Sequence, residues 1–255
     1  MDEALQLLEY LPFSFKTQSE QEYINFLWEA FESNYTNEKY QFAFLAYRMI
    51  TMCFIYFNIW QIKQNLKDDF EKAIIGFSSR DLDGLVHKDD TDNLKKWTVS
   101  PFNFSKVQER SIIRILALIG CDKSKIGNYG KLIDDRNNTA HPNGNIYYSN
   151  QQSLDKKISE IIKSVDEIQT HSKSTIEKCY QNFLLESYDA EEREYIKASD
   201  QIREVLIHQN YLSQKDIEIC RLFDLNNLNH HPDIDNIRLL HETLKSEYQF
   251  SIIDL

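Results

Sequence analysis

The sequence predicts an all-α fold, and three observations lead to this prediction. The 255 residues include only 6 Gly and 4 Pro, too few for the many turns of a β sandwich. Hydrophobic residues make up 42% of the chain and charged residues 27%, which allows a sizeable core under a charged surface. Apolar residues recur three and four positions apart over long stretches, the spacing of amphipathic helices.

Two helices are predicted in the first part of the chain, after a short leader over residues 1–18. The first helix covers 19–34, and Ser19 with Glu22 fits the pattern of a capping box. The second covers 37–66 and is apolar nearly all round at its centre. Such a helix is typical of the central rod of a bundle.

The apolar centre of this second helix is almost long enough to span a membrane. Arg48 lies inside it, however, so we predict no membrane segment and expect a structural ion pair for Arg48, with a phosphate as the other possible partner. The chain begins with acidic residues rather than a basic leader, and a cytoplasmic location is expected. No two cysteines form a Cys-x-x-Cys pair, so the sequence predicts four small buried hydrophobic residues: Cys53, Cys121, Cys179 and Cys220.

Residues 67–103 differ in character from the helices around them. They contain the polar segments 81–84 and 89–92 and the pair Ser100-Pro101. We predict an inserted polar loop with about one helical turn, exposed as a lid or a partner-facing surface.

The next elements lead to the most informative part of the chain. A helix is predicted over 105–119, with Ser105 and Gln108 as its capping box and Gly120 as its stop. A loop and a short helix over about 129–140 follow.

A long helix is predicted over 150–186, because apolar residues repeat there at steps of four and three. We therefore divide the chain into a helical bundle over 1–186, with the insertion, and an acidic helical region over 187–255. In the second region, Ser213 with Asp216 fits a capping box and Pro232 fits the start of a helix. The helices predicted there cover 190–209, 213–223 and 232–248.

The candidate functional motif is the hexapeptide from Arg136 to His141. Arg holds phosphate oxygens and His exchanges a proton near neutral pH, which together suffice to break a phosphodiester without a metal. The net charge of −11 argues against a protein that coats nucleic acid, yet residues 101–136 carry 7 basic and 4 acidic side chains. Arg136 and His141 are separated by about 140° on a regular helix, so they converge only where the helix ends or where a second copy contributes its own pair.

The motif resembles the signature of the HEPN superfamily, in which an Arg is followed by a polar residue and, a few positions later, by His. Here the motif reads Arg136-Asn137-Asn138-Thr139-Ala140-His141, and the order of the predicted helices over about 19–186 is similar to that family. The resemblance implies an antiparallel four-helix bundle that forms a homodimer through the motif helix. It also implies a metal-independent endoribonuclease, found in toxin–antitoxin and antiviral defence systems, with an antitoxin or a defence-complex protein as a possible partner.

Carried onto this chain, the resemblance implies roles for individual residues. His141 would be the general acid or base for attack by the ribose 2′-OH, Arg136 would bind the scissile phosphate, and Asn137 would orient Arg136 or bind the phosphate. Lys131, Asn138 and Tyr147 are the further candidates for RNA binding, the tyrosine by stacking on a base. No metal and no cofactor is expected.

Three alternatives remain open from the sequence. In the first, the domain is a scaffold without activity. In the second, it is a sensor that binds a nucleotide without cleaving it. In a purely structural role, Arg136 would pair with Asp134 or Asp135 and His141 would cap the helix. The His230-His231 pair lacks a third ligand at a suitable spacing, so we interpret it as a loop before a helix.

Overall fold

The computed structural model describes residues 1–88, 95–97, 100–141 and 144–250, and they are mostly helical, as predicted. The α-helices are α1 (Asp2–Leu5), α2 (Gln18–Thr36), α3 (Tyr40–Asn65), α4 (Lys67–Ile74), α5 (Ser79–Leu85), α6 (Glu109–Arg114), α7 (Lys123–Ala140), α8 (Gln151–Ser187), α9 (Ala198–Gln201), α10 (Gln214–Arg221) and α11 (Ile234–Glu247). Short 3₁₀ segments cover Gln6–Tyr10, Pro101–Lys106, Ile115–Ile119 and Leu225–Leu228, and a π-helix covers Ile202–His208. Two strands, β1 (Val86–Lys88) and β2 (Lys95–Trp97), pair antiparallel, with Val86 opposite Trp97.

Helix α3 is the centre of the fold. Every residue from Ile50 to Ile62 is buried, because α2, α7 and α8 pack around it. By length and composition, α3 is the one helix among the described residues able to cross a membrane, but 83% of its most apolar window is buried inside the protein. This burial is the pattern of a core helix.

The leader is part of the core rather than a loose extension. Helix α1 packs on α8, and five leader residues are buried: Ala4, Leu7, Tyr10, Leu11 and Pro12. The capping box of α2 is also two residues earlier than predicted. It consists of Thr17 and Glu20, and the Glu20 N–H donates to Thr17 Oγ1 over 3.2 Å while the Thr17 N–H donates to Glu20 Oε2 over 3.3 Å.

The prediction of a loop with about one helical turn over 67–103 is wrong for its described residues, although many of the residues from 67 to 85 are exposed, as predicted. The described residues form α4, α5 and the strand pair, and Phe70, Ile74 and Leu85 are buried in the main core. The few apolar residues of this segment are spaced so that each α-helix buries one side. The acidic run 89–92 lies outside the described residues.

The capping box predicted for 105–119 is also wrong, because the cap comes from a distant part of the chain. Asp81 of α5 is buried, and its carboxylate accepts the Gln108 N–H over 2.9 Å and the Ser111 hydroxyl over 3.2 Å. Gly120 ends the following 3₁₀ segment with φ of 88°, as its predicted role as a stop requires.

Helix α7, which carries the motif, begins six residues before the predicted start. Asp122 caps it by accepting the Lys125 N–H over 2.9 Å, so Gly127 and Gly130 lie inside the helix. Glycine lowers helix propensity, and the buried side chains of Tyr129 and Leu132 hold the helix against the core.

Two hydrophobic clusters share the 37-residue helix α8, which matches its prediction within one residue at each end. Residues of α8 up to Ile168 belong to the main core around α3, and those from Ile176 belong to a second cluster with α10 and α11. The Ser213–Asp216 capping box is confirmed, whereas the next predicted helix begins at Ile234 rather than at Pro232. All four cysteines are buried and free, as predicted.

Candidate functional site

The end of α7 is tied to α3 by one side chain. Gln41 Nε2 donates to the Thr139 carbonyl over 3.2 Å, and Gln41 Oε1 accepts the Tyr147 N–H over 2.9 Å. The Tyr148 ring packs on Phe44 of α3 with 4.4 Å between centroids. Thr139 in the last turn of the motif helix, Tyr147 and Tyr148 are therefore held against α3.

The two aspartates before Arg136 have other cationic partners. Asp134 pairs with Arg110, and Asp135 pairs with Lys157 over 2.6 Å. Arg136 instead donates from Nη1 to Asn137 Oδ1 over 2.9 Å, and no described carboxylate forms an ion pair with it. The ion pair of the purely structural alternative is therefore not formed, and Asn137 is in a position to orient the guanidinium.

His141 is the first residue beyond α7. Its backbone is extended, with φ of −86° and ψ of 140°, and its N–H donates to the Asn137 carbonyl over 3.2 Å. The imidazole is exposed, and no described group forms a hydrogen bond with it. On a continued regular helix, the side chains of Arg136 and His141 would face directions about 140° apart. Helix α7 ends before His141, so this separation does not apply to the pair.

Arg136 and Ala140 line a cavity of about 820 Å³ between α2, α3 and the 3₁₀ segment Pro101–Lys106. Its other lining residues are Thr17, Ser19, Glu20, Tyr23, Leu45, Arg48, Met49, Met52, Cys53, Tyr56, Ser100, Phe102, Ser105 and Glu109. His141 is not among them. The cavity therefore has mixed walls, aromatic and apolar on several sides and charged at Arg48, Glu109 and Arg136.

Arg48 is 4% exposed and pairs through Nη2 with Glu109 Oε2, which confirms the predicted structural ion pair. Its Nε–H is buried without a hydrogen-bond partner among the described residues. The Glu109 side chain is 22% exposed, so this carboxylate still reaches solvent. Sequence reasoning identified Arg48 as a structural residue but did not connect it with the motif, because they are 88 positions apart.

Glu20, the second carboxylate of the cavity, is saturated with donors. Its oxygens accept the Tyr211 hydroxyl over 3.0 Å, the Ser100 hydroxyl over 2.7 Å, and the N–H groups of Lys16 and Thr17. These bonds connect α2 to the residues just before it and to Ser100 and Tyr211, which are distant in sequence. Glu20 therefore shapes the cavity wall and has little capacity left for a ligand.

The other predicted RNA-binding residues lie outside the cavity. Lys131 and Asn138 are exposed on α7, and Tyr147 is 41% exposed in the segment that Gln41 holds. They border the motif on the surface, whereas Tyr23, Tyr56 and Phe102, which sequence reasoning did not select, line the cavity. These aromatic residues have the spacing of core residues, so the sequence did not indicate that they line a cavity.

Metal-ligand geometry is absent from the described part of the chain, where no group of three or more His, Cys, Asp or Glu side chains is placed to hold an ion. His231 Nδ1 accepts the N–H of Asp233 over 3.2 Å, as expected for a loop before a helix. No protein-family model, curated protein or solved structure matches this chain.

Proposed function

We propose that this protein is a metal-independent endoribonuclease of the HEPN type, built on a helical bundle that pairs with a second copy through α7. The proposal rests mainly on the placement of Arg136. Asn137 holds its guanidinium without a described carboxylate to neutralise it, next to the exposed His141 at the end of the helix. A guanidinium in this state is suited to bind a phosphate.

The reaction proposed is attack of a ribose 2′-OH on its adjacent phosphorus. The new P–O2′ bond forms as the P–O5′ bond breaks, a base removes the 2′-OH proton, and an acid supplies a proton to O5′. His141 of one copy accepts the proton and His141 of the second copy donates one. Arg136 offsets the charge that develops on the phosphorane oxygens. The products are a 2′,3′-cyclic phosphate and a 5′-hydroxyl.

Exposed apolar residues beside the motif support the pairing of two copies. Phe42, next to Gln41 on α3, is 59% exposed, and Ile146, next to Tyr147, is 74% exposed. Gln41 accepts the Tyr147 N–H and donates to the Thr139 carbonyl at the end of α7. The adjacent residues Phe42 and Ile146 are therefore close to the motif. Burial of such side chains is a usual source of stability for a dimer. A cellular role as a toxin or antiviral effector, restrained by a partner protein, would suit such an enzyme.

The test is cleavage of total RNA and tRNA in EDTA by wild type and by His141→Ala, each checked for folding. We expect wild type to leave cyclic-phosphate ends and His141→Ala to lose activity by about 10²-fold or more. Arg136→Ala should lose activity similarly, and Asn137→Ala less. His230→Ala, which removes an exposed imidazole from the C-terminal region, is the matched control and should cut like wild type. Equal cutting by wild type and His141→Ala would reject the proposal.

A further inference from the structure

The cavity beside Arg136 has the composition of a binding site for a planar polar ring. Its volume of about 820 Å³ is within the usual range of small-molecule pockets. The rings of Tyr23 and Phe102 meet edge to face at 5.4 Å in its wall, next to the soft side chains of Met49 and Met52. Flat aromatic ligands pack well on walls of this kind.

The polar groups of the cavity have hydrogen-bonding capacity that the protein leaves unused. The Arg48 Nε–H is buried and has no acceptor among the described residues, although most buried donors in proteins are satisfied. Glu109 gives one oxygen to Arg48, and no described donor reaches the other. Both residues line the cavity, so within the described part of the chain it holds an unpaired donor on Arg48 and a free acceptor oxygen on Glu109.

A nucleobase matches this pair, because its edge carries a carbonyl or ring nitrogen next to an N–H donor. Guanine, for example, places the O6 acceptor beside the N1–H and N2–H donors, which a guanidinium and a carboxylate complement. A fatty acid would fill the apolar walls but would bring its carboxylate against Glu109 or leave the polar pair unmatched. Arg136, at another point of the same cavity, is available for a phosphate attached to the base.

We infer that this cavity binds the base of a nucleotide on Arg48 and Glu109, with its phosphate on Arg136. The inference rests on the proposed function for the source of the nucleotide, an RNA strand whose base enters the cavity beside the scissile phosphate. A free mononucleotide has the same chemistry and is the other source that the experiment distinguishes. In the RNA case, the cavity selects which nucleotide flanks the cut.

The experiment measures binding of guanosine monophosphate to the full chain by calorimetry, with ribose 5-phosphate as the ligand that has a phosphate but lacks the base. We expect the nucleotide to bind at least ten times more tightly than ribose 5-phosphate. Met49→Trp places a bulky ring at the cavity on a half-exposed position and should weaken nucleotide binding by about tenfold or more. Leu239→Trp, an equally apolar exposed position on α11, is the matched control and should bind like wild type.

A second variant protects the test against a folding defect in Met49→Trp. Arg48→Met with Glu109→Gln removes the charged pair together and should abolish the preference for the nucleotide over ribose 5-phosphate. Equal affinity for the two ligands in wild type, or no loss in either cavity variant, would overturn the inference.

The source of the nucleotide is resolved by an RNA oligonucleotide with 2′-O-methyl groups, which binds but cannot be cut. Tighter binding of this RNA than of the mononucleotide, reduced in parallel by Met49→Trp, supports the RNA source. Mononucleotide binding by a wild-type protein that cuts no RNA supports the cavity and rejects the ribonuclease. RNA cleavage that needs His141, by a protein that binds no mononucleotide and is unaffected by Met49→Trp, rejects the cavity and keeps the ribonuclease.

Discussion

Two of the buried polar side chains of helix α3, Gln61 and Arg48, have different surroundings. Gln61, near its C-terminal end, donates to the Asp216 carboxylate over 2.9 Å. That carboxylate also accepts the Gln169 amide over 2.7 Å and the Ser213 N–H over 2.9 Å. Arg48, nearer the N-terminal end, has the ion pair with Glu109 and an unpaired Nε–H in the wall of a cavity.

The hydrogen bonds of Asp216 hold parts of the fold together, whereas Arg48 has a donor left for a ligand. Asp216 is fully enclosed, and its partners come from α3, α8 and α10, so it joins the two hydrophobic clusters. Burial raises the pKa of Asp216, and the hydrogen bonds from Ser213, Gln169 and Gln61 oppose that rise. Every donor around it is used within the fold. Gln61 Oε1 and Arg48 Nε are both buried without a partner among the described residues, but only the Arg48 side chain lines the cavity.

The largest effect on stability is expected from Asp216→Ala. This change leaves the Gln169 amide and the Ser213 N–H buried without their acceptor, and it leaves the Gln61 amide with the Tyr211 carbonyl alone. Each buried group that loses its partner costs about 1–3 kcal/mol. The free energy of unfolding, measured by urea denaturation, should fall by about 3 kcal/mol or more. Asp216→Asn, which keeps the shape and one acceptor, should lose less. A decrease in the free energy of unfolding of less than about 1 kcal/mol would show that this network does not connect the two clusters.

Arg48→Met is expected to have a smaller effect on stability, of about 1 kcal/mol, although Arg48 is also buried. The reason is that Glu109 is partly exposed and can be solvated when its partner is removed. In the same variant, binding of guanosine monophosphate should fall by about tenfold. A large loss of stability with nucleotide binding intact would show that Arg48, like Asp216, stabilises the fold and does not bind a ligand.

The smallest effect concerns a third buried polar pair, in the second cluster. The Tyr180 hydroxyl and His241 Nδ1 are 2.8 Å apart, and burial lowers the pKa of His241, with the Lys245 charge acting in the same direction and Glu242 against it. The folded state therefore binds this proton less readily than the unfolded chain, so stability should fall as the pH drops below about 6.5. Urea denaturation at pH 7.5 and 5.5 measures this, and His241→Gln should reduce the difference. An unchanged pH dependence in the variant would assign it to other groups.

The candidate site was only partly predictable. The hexapeptide and its break at His141 are local features, since Arg136 and Asn137 are adjacent and the helix ends within the motif. The cavity was not predictable, because its wall joins residues from α2, α3, α6 and α7. Arg48 was recognised as a buried cation from its apolar neighbours, but nothing local indicated that Glu109 would be its partner.

The sequence by itself determined the features that depend on short-range periodicity and backbone preference. These are the all-α class, the long helix α8, the stop at Gly120 and the Ser213–Asp216 cap. The tertiary structure decided the formation of α4 and α5, the cap that Asp81 gives to α6, and the burial of Glu20, whose capping box with Thr17 starts α2 at Gln18. Helical spacing and a left-handed glycine act within a few residues. A buried polar group instead takes whichever partner the packing brings to it, at any distance along the chain.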